Sequence, residues 1–493
     1  MQYYEEIWGT DWYDHAGTPR NNGLLWLAQN ENEGFQVFYR EQEKERNLRI
    51  EVSPFINSQN EVLQHSVYWE DFFYAQGVDV TNSASDSLAE ALIPYVGEVI
   101  RTTVGHNKAF FINLKSTKNQ TPGNYNSTIT VYDGNDVLAI RTITAKVWNF
   151  ALPDHHYSEV VMGLHNRNSG YGPTRSFLAL NGINVDAQGN VAESDLPAAK
   201  QILNGYQECL LEHGVSTYEI PRWLMDDDPK AAELTMADPR RKVFSVPFNR
   251  NYDFTGTDFS ASSRDVITQY KNLVYDNPFL KDKTFFYLMD EPGANQENLA
   301  LLNAMTNRLT DLWPGYHAVV PFNEEHNSYS QTIAMLDGKT DILCPNQYAF
   351  DPYPYNNTWD VDSNWNVKQS NFENFKDRFN HKDRFRTWRY QGDGKSGGTY
   401  FWIFPLPTTG MMRRIPFWQQ YIMNSDGWLH WNCAYLPNDW TKKTIPSGFG
   451  VGTGNGDGIL LYPGTMFGQS AETPIVSLRL KQLLSKCSKL VFY

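Results

Sequence analysis

Over residues 1 to about 150, apolar and polar side chains alternate in short runs. Leu48, Ile50 and Val52 fall on one side and Arg49, Glu51 and Ser53 on the other, the period of two expected of a half-buried strand. Tyr125, Ile129 and Val131 repeat the pattern against Asn126, Thr128 and Thr130, and Asp133-Gly134 then leads into the apolar run Val137-Leu138-Ala139-Ile140. That sequence of strand, turn and strand is a hairpin signal. No amphipathic helix interrupts the region. The simplest closed arrangement of such strands is an antiparallel β-sandwich.

Around Ala151-Leu152-Pro153-Asp154 the pattern changes. Continuous apolar runs now alternate with helix-length segments, the runs covering 159–164, 216–220, 243–248, 284–289, 317–322, 341–345, 384–388 and 427–431. Ile202, Tyr206 and Leu210 recur at the spacing of one helix face, and Leu302, Met305, Leu309 and Leu312 mark another. Further helices are predicted near 262–275, 367–379, 410–424 and 473–486. Strands that are apolar throughout, separated by helices, imply a parallel sheet covered on both faces. Eight such repeats fit a (β/α)8 TIM-type barrel. The rival, a doubly wound open sheet, would carry a Gly-rich first turn, which the chain lacks. The expected organisation is therefore an N-terminal sandwich over 1–150 and a barrel over 151–493, the latter ending in a Gly-rich loop and a final helix.

Bulk properties narrow the partners. The chain has 493 residues and a formal net charge of -14, which disfavours nucleic acid and anionic membranes, since phosphate binding needs clustered cations. No stretch of about 18 apolar residues is present to span a bilayer. The opening Met1-Gln2-Tyr3-Tyr4-Glu5-Glu6 lacks the features of a secretion leader. A cytoplasmic protein fits this, and so does a secreted, periplasmic or surface protein whose leader has been removed. Three tripeptides, beginning at Asn119, Asn126 and Asn356, match the N-glycosylation pattern. The four cysteines (Cys209, Cys344, Cys433, Cys487) are far apart and read as buried free thiols, not as metal ligands. The oligomeric state is open.

The chemistry concentrates at Phe285-Phe286-Tyr287-Leu288-Met289-Asp290-Glu291-Pro292-Gly293. A buried strand has no use for two adjacent acids, each of which must be solvated, paired or protonated. In a barrel of parallel strands, the C-terminal strand ends carry the active site. The same rule gathers His165, Arg222 and Asn249 after the first three runs, and Asn323, Glu324 and Glu325 after the fifth. It adds Asn346, Gln347 and Tyr348 after the sixth, Trp388, Arg389 and Tyr390 at the seventh, and Trp431 and Asn432 at the eighth. Acids, amides and flat rings in one cup suit a neutral polyhydroxylated ligand, and neither a metal nor an organic cofactor is called for. The glycine-rich stretch from Gly448 to Gly458 precedes no convincing helix and ends in no Lys-Ser/Thr, so it reads as a loop near the barrel mouth and not as a phosphate cradle.

Cleaving a glycosidic bond needs a proton donor and something to stabilise an oxocarbenium-like sugar. The seventh run offers no acid to serve as nucleophile. The Asp290-Glu291 pair fits a different scheme, in which the substrate's acetamido oxygen attacks the anomeric carbon while Asp290 steadies the acetamido nitrogen and Glu291 handles the proton. Neighbouring strand residues point opposite ways, so this requires the strand to break at the pair, a role for Pro292-Gly293. Two alternatives stay open: Glu291 paired with Glu324 or Asp393 on a sugar lacking an acetamido group, and a non-catalytic carbohydrate-binding cup.

Several blocks together resemble glycoside hydrolase family 123, the bacterial β-N-acetylgalactosaminidase-like proteins. They are Thr121-Pro122-Gly123-Asn124-Tyr125, Leu152-Pro153, Phe286 through Pro292, Arg414 through Trp418, Asp426 through Trp431, Gly456 through Gly464, and Ser477-Leu478-Arg479-Leu480. The resemblance implies a sandwich followed by a (β/α)8 barrel and retaining, exo-acting hydrolysis through an oxazolinium-like intermediate. Asp290 and Glu291 then take the roles above, on a glycan or glycoconjugate ending in β-linked N-acetylhexosamine, foremost N-acetylgalactosamine. It further implies a tyrosine on the acetamido carbonyl. Tyr348 leads as the candidate, ahead of Tyr390 and Tyr353.

Overall fold

The computed structural model describes residues 2–4, 22–75, 87–154, 158–164, 174–175, 177–186, 190–218, 236–248, 254–323, 329–346, 386–391, 417, 420–421, 425–437, 444–445, 456 and 458–484. The chain divides into two compact units: residues 1–156, 400–416 and 439–493 form one, and residues 157–399 and 417–438 the other.

The first unit is built on one hydrogen-bonded path of strands. It runs Gln2–Tyr4, Asn32–Arg40, Asn107–Lys115, Val62–Ala75, Phe55–Ile56, Gly123–Asp133, Asp136–Ala151 and Asn22–Gln29. Most pairs are antiparallel, as the alternation predicts, but Asn22–Gln29 runs parallel to Asp136–Ala151. The predicted hairpin is present, with Asp133 paired to Asp136 and Gly134 at φ 60, a conformation that glycine adopts without strain. Leu25, Val37, Leu63, Ile112, Tyr125 and Val147, drawn from both halves of the path, meet in one core with Ile50 of strand Asn47–Val52, which pairs with Gly123–Asp133.

The C-terminal segment, expected to belong with the barrel, is part of this first unit. Val476 and Ser477 pair antiparallel with Leu92 and Ala91, and Leu461–Tyr462 pairs with Ile475–Val476. An ion pair explains the attachment. Arg479, fully buried, donates from Nε (2.8 Å) and Nη2 (2.6 Å) to Glu90 Oε1 and from Nη1 to the Gly456 carbonyl (2.6 Å), and Tyr462 donates to the same Glu90 oxygen (2.8 Å). The predicted final helix is shorter than expected, Leu478–Leu484 among the described residues.

The second unit is a nearly closed parallel barrel. Its strands are Glu159–Met162, Ser216–Thr217, Phe244–Ser245, Thr284–Tyr287, Ala318–Phe322, Ile342–Pro345, Arg386–Gln391 and Gly427–His430, each falling within or overlapping a predicted apolar run. Ladders join them in the order second, first, eighth, seventh, sixth, fifth, fourth, third. The remaining seam, between the second and third strands, carries a backbone bond from the Ser245 amide to the Tyr218 carbonyl (3.0 Å). Val161, Tyr218, Val243, Phe285, Val319, Ile342, Cys344, Trp388, Tyr390 and Leu429 fill the interior.

Helices cover the outside. Ala261–Val274 begins at Ser260, whose hydroxyl accepts the Ser263 amide, and Gln296–Leu312 begins at Asn295, whose side chain accepts the Asn298 amide (2.9 Å). The second of these buries Leu302, Met305 and Leu309 against Phe286, Val320 and Phe322 on the outer sheet face. Helix Tyr329–Leu336, not foreseen from the sequence, packs there too through Ile333 and Leu336. The helix predicted at 367–379 lies outside the described residues, as does most of the one at 410–424.

Candidate active site

The fourth strand should alternate, and at first it does: Phe285 lies in the barrel interior and Phe286 in the outer core. Tyr287 turns back inward, packing against the interior cluster. Then the rule fails. Leu288 and Met289 both enter the outer core. The ladder explains why. Leu288 bonds to the Val319 carbonyl (3.1 Å) and Glu291 to the Pro321 carbonyl (3.1 Å), so three steps on this strand match two on its neighbour. One extra residue is a bulge, which re-aims the side chains after it.

Glu291 adds a second break. Its φ is 44, one of three non-glycine residues among those described with a left-handed backbone. Glutamate has no side-chain reason to adopt that region, so the surroundings impose a cost on the order of 1 kcal/mol. Such strain gathers where function requires it. Consequently both acids reach hydroxyls of inward-facing tyrosines. Tyr287 donates to Asp290 Oδ1 (2.8 Å), and Tyr390, from the seventh strand, donates to Glu291 Oε1. Asp290 is exposed and Glu291 half-buried, so both can meet a ligand.

A ring stack supports the pair. Tyr218 and Tyr287 lie face to face, 5.7 Å between centroids at 21°. The Tyr218 hydroxyl donates to the Trp431 carbonyl (2.8 Å). Gly163, at the end of the first strand, allows this approach, because a Cβ there would sit 2.0 Å from the Trp431 oxygen and 2.7 Å from the Tyr218 hydroxyl. Burial, followed by the Asp290 charge, raises the Tyr287 phenol well above the usual range, so it stays a proton donor.

Other candidates divide. Asn323 follows the fifth strand and is half-buried, and Trp431 is half-buried with its ring edge-on to Tyr435 at 4.9 Å. Trp388 and Arg389 do not join the cup. The seventh strand continues to Gln391, three residues past the predicted boundary, so Trp388 sits a layer lower, wholly buried against Phe285 with its indole donating to Glu159 Oε2 (2.7 Å). Arg389 points to the outer layer, over the Trp428 ring at 5.6 Å, where burial lowers its guanidinium to about 9. His165, Arg222, Asn249, Glu324, Tyr348, Tyr353 and Asp393 lie outside the described residues.

Tyr287 and Tyr218 were not anticipated. Parity held the clue for Tyr287: counting from the buried Phe285, the phenol must face inward, three residues before Asp290. Among the described residues no group of His, Cys, Asp or Glu is arranged to hold a metal ion.

The fold is shared with one known hydrolase. A family 123 glycoside hydrolase from Clostridium perfringens, described for glycolipid glycan hydrolysis, superposes with a TM-score of 0.67 at 13% identity, over 99% of this chain and 87% of that one. A family 39 glycoside hydrolase from Bacteroides cellulosilyticus matches at a TM-score of 0.39 and 10% identity, over 95% of this chain and 81% of the other. No protein-family model matches the sequence, and no curated protein matches it.

Proposed function

We propose that this protein is a retaining exo-glycoside hydrolase that removes terminal β-linked N-acetylhexosamine, foremost N-acetylgalactosamine, with the substrate's own acetamido group as nucleophile. One observation carries the reading: two consecutive carboxylates at the C-terminal end of a barrel strand, both turned by a bulge and a left-handed residue toward inward-facing tyrosines. The fold shared with a family 123 glycoside hydrolase supports it.

In the first step Glu291 gives its proton to the glycosidic oxygen as the acetamido carbonyl oxygen bonds to the anomeric carbon. The leaving alcohol departs with the bonding electrons. Asp290 accepts the acetamido N–H and balances the positive charge that develops on the oxazolinium ring. Water then adds to the anomeric carbon, Glu291 takes back a proton, and the amide is restored. Two inversions at one carbon give net retention. Tyr348, two residues beyond Asn346, is our assignment for the donor to the acetamido carbonyl, since the Tyr287 and Tyr390 hydroxyls are given to the acids. We also read the N-terminal sheet as a sandwich closed over its single core.

A panel of aryl β-glycosides differing at C2 and C4 tests the proposal. Release of the phenol from 2-acetamido sugars, and not from their 2-hydroxy analogues, is the expected result. Faster cleavage of the 2-hydroxy series overturns the acetamido mechanism.

A further inference from the structure

On strands Asn22–Gln29, Asp136–Ala151 and Gly123–Asp133 of the first unit, the inward positions, among them Leu25, Tyr125, Ala145 and Val147, fill the core. The positions between them face outward. There Trp26 lies beside Lys146 and Lys146 beside Asn124, while Leu24 lies beside Thr144 and Thr144 beside Asn126. Trp26 is 44% exposed and Trp148 41%, and no other tryptophan among the described residues is so open. Indoles turned to water add little to the fold, and apolar surface gathered in one patch marks a binding site. The Lys146 ammonium lies 4.3 Å from the centroid of the Trp148 ring and steadies it. Thr144 donates to Asn126 Oδ1 (2.7 Å), which fixes that amide. Strand spacing and rise set the backbones of Trp26 and Trp148 roughly 8 Å apart.

We propose that this outward face is a glycan-binding site, taking a neutral oligosaccharide of two or more pyranose rings. The proposal goes beyond the hydrolysis assigned to the barrel and does not depend on it. A pyranose has an apolar C–H face and a rim of hydroxyls. A flat indole packs on the first, and amide and hydroxyl side chains bond the second. Rows of ring, amide and hydroxyl on one sheet meet both needs. Charge then selects the partner. Between the indoles and the two asparagines, the described outward positions hold one lysine and no carboxylate, in a chain with 56 acids and a net charge of -14. A cationic partner finds no counter-charge there, and an anionic membrane or polyanion finds a single cation. A neutral sugar needs neither.

The test is a glycan array of neutral and anionic oligosaccharides probed with the full chain. Titration calorimetry on the strongest neutral binder then compares the parent with Trp26→Ala, Trp148→Ala, the double alanine variant, Trp26→Tyr and Asn124→Ala. The parent binds neutral oligosaccharides of two or more rings. Each tryptophan-to-alanine change weakens Kd by about tenfold, and the double variant by about a hundredfold. Trp26→Tyr, which keeps a ring, stays within about threefold, and Asn124→Ala, at an exposed polar position, loses about threefold. All thermal midpoints stay with the parent's. A parent that binds no neutral oligosaccharide, or a Kd unchanged in the double variant, overturns the inference. So does a parent dimer in sedimentation that the double variant turns into a monomer, since the face then belongs to a second copy. Binding is read without turnover, so its failure leaves the proposed hydrolysis standing, and an inactive barrel leaves this site standing.

Discussion

Tyr390 and Glu291 stand 99 residues apart in the chain and are joined by one hydrogen bond across the barrel. The bond ties the acid to a wall of the fold that does not contain it. Glutamine at 291 keeps an oxygen to accept that bond and cannot carry the proton. Glu291→Gln is therefore expected to lower kcat by about 10²- to 10⁴-fold while the thermal midpoint stays within a few degrees of the parent. A steady-state assay beside a melting curve checks both. Parental turnover would remove Glu291 from the chemistry.

A second acid has a different consequence. Glu70 is 1% exposed in the first unit, accepts from Gln36 Nε2 (2.7 Å), and lies near the charge of Glu90. Burial, resisted by the Gln36 bond and reinforced by Glu90, pushes its carboxyl from the ordinary 4.5 up to about 8. Between those values an unfolded chain has released the Glu70 proton while the folded protein retains it. Folding stability thus declines as pH rises through that window, by a few kcal/mol in all. Glu70→Gln is expected to raise the urea midpoint at pH 8 and to leave it nearly unchanged at pH 4. A mutant curve parallel to the parent's across that range contradicts this assignment.

The Arg479–Glu90 pair predicts a large loss. Both side chains are buried, and removing one strands the other's charge. Arg479→Met is expected to cost about 3–5 kcal/mol. Arg479→Lys recovers only part, because one ammonium cannot bond Glu90, the Gly456 carbonyl and the Ile459 carbonyl together. Chemical denaturation of the three proteins measures the order.

Gly427 opens the eighth strand where Trp388 fills the barrel base. A Cβ there would lie 2.4 Å from the indole Cδ1 and 2.8 Å from the Glu159 carbonyl oxygen. Gly427→Ala should destabilise by about 2–3 kcal/mol. Adding Trp388→Leu should restore part of that loss, since it clears the nearer clash. An additive double mutant would show that the two do not meet.

The barrel was legible because its strands are buried on both faces and so read as unbroken apolar runs. Run 243–248 overstated a strand that is only Phe244–Ser245, and run 384–388 stopped early because Arg389 and Gln391 look like a strand's end. That misplaced boundary put Trp388 and Arg389 in the cup when Tyr390 is the residue that reaches it. The helix Tyr329–Leu336 has two turns and too short a period to stand out. The tail escaped for another reason. Val476 pairs with Leu92, and no local pattern records a partner nearly four hundred residues away.

The acid pair was visible as two charges at the end of an apolar run. Its geometry was not. The expected break at Pro292-Gly293 begins earlier, with Leu288 and Met289 on one side and Glu291 itself left-handed. A bulge depends on the register of the neighbouring strand, which the sequence does not print.

The central claim is that Asp290 and Glu291 serve one pyranose whose acetamido group closes on its own anomeric carbon. An N-acetylhexosamine thiazoline, the stable mimic of that ring, tests it most directly through the thermal midpoint of the parent and of Asp290→Asn. At a hundredfold excess over its dissociation constant, a ligand of the folded state adds roughly 2.7 kcal/mol. The account predicts a rise of several degrees for the parent that is lost in Asp290→Asn. A parent midpoint unmoved at millimolar thiazoline, or an equal rise in both proteins, would contradict it.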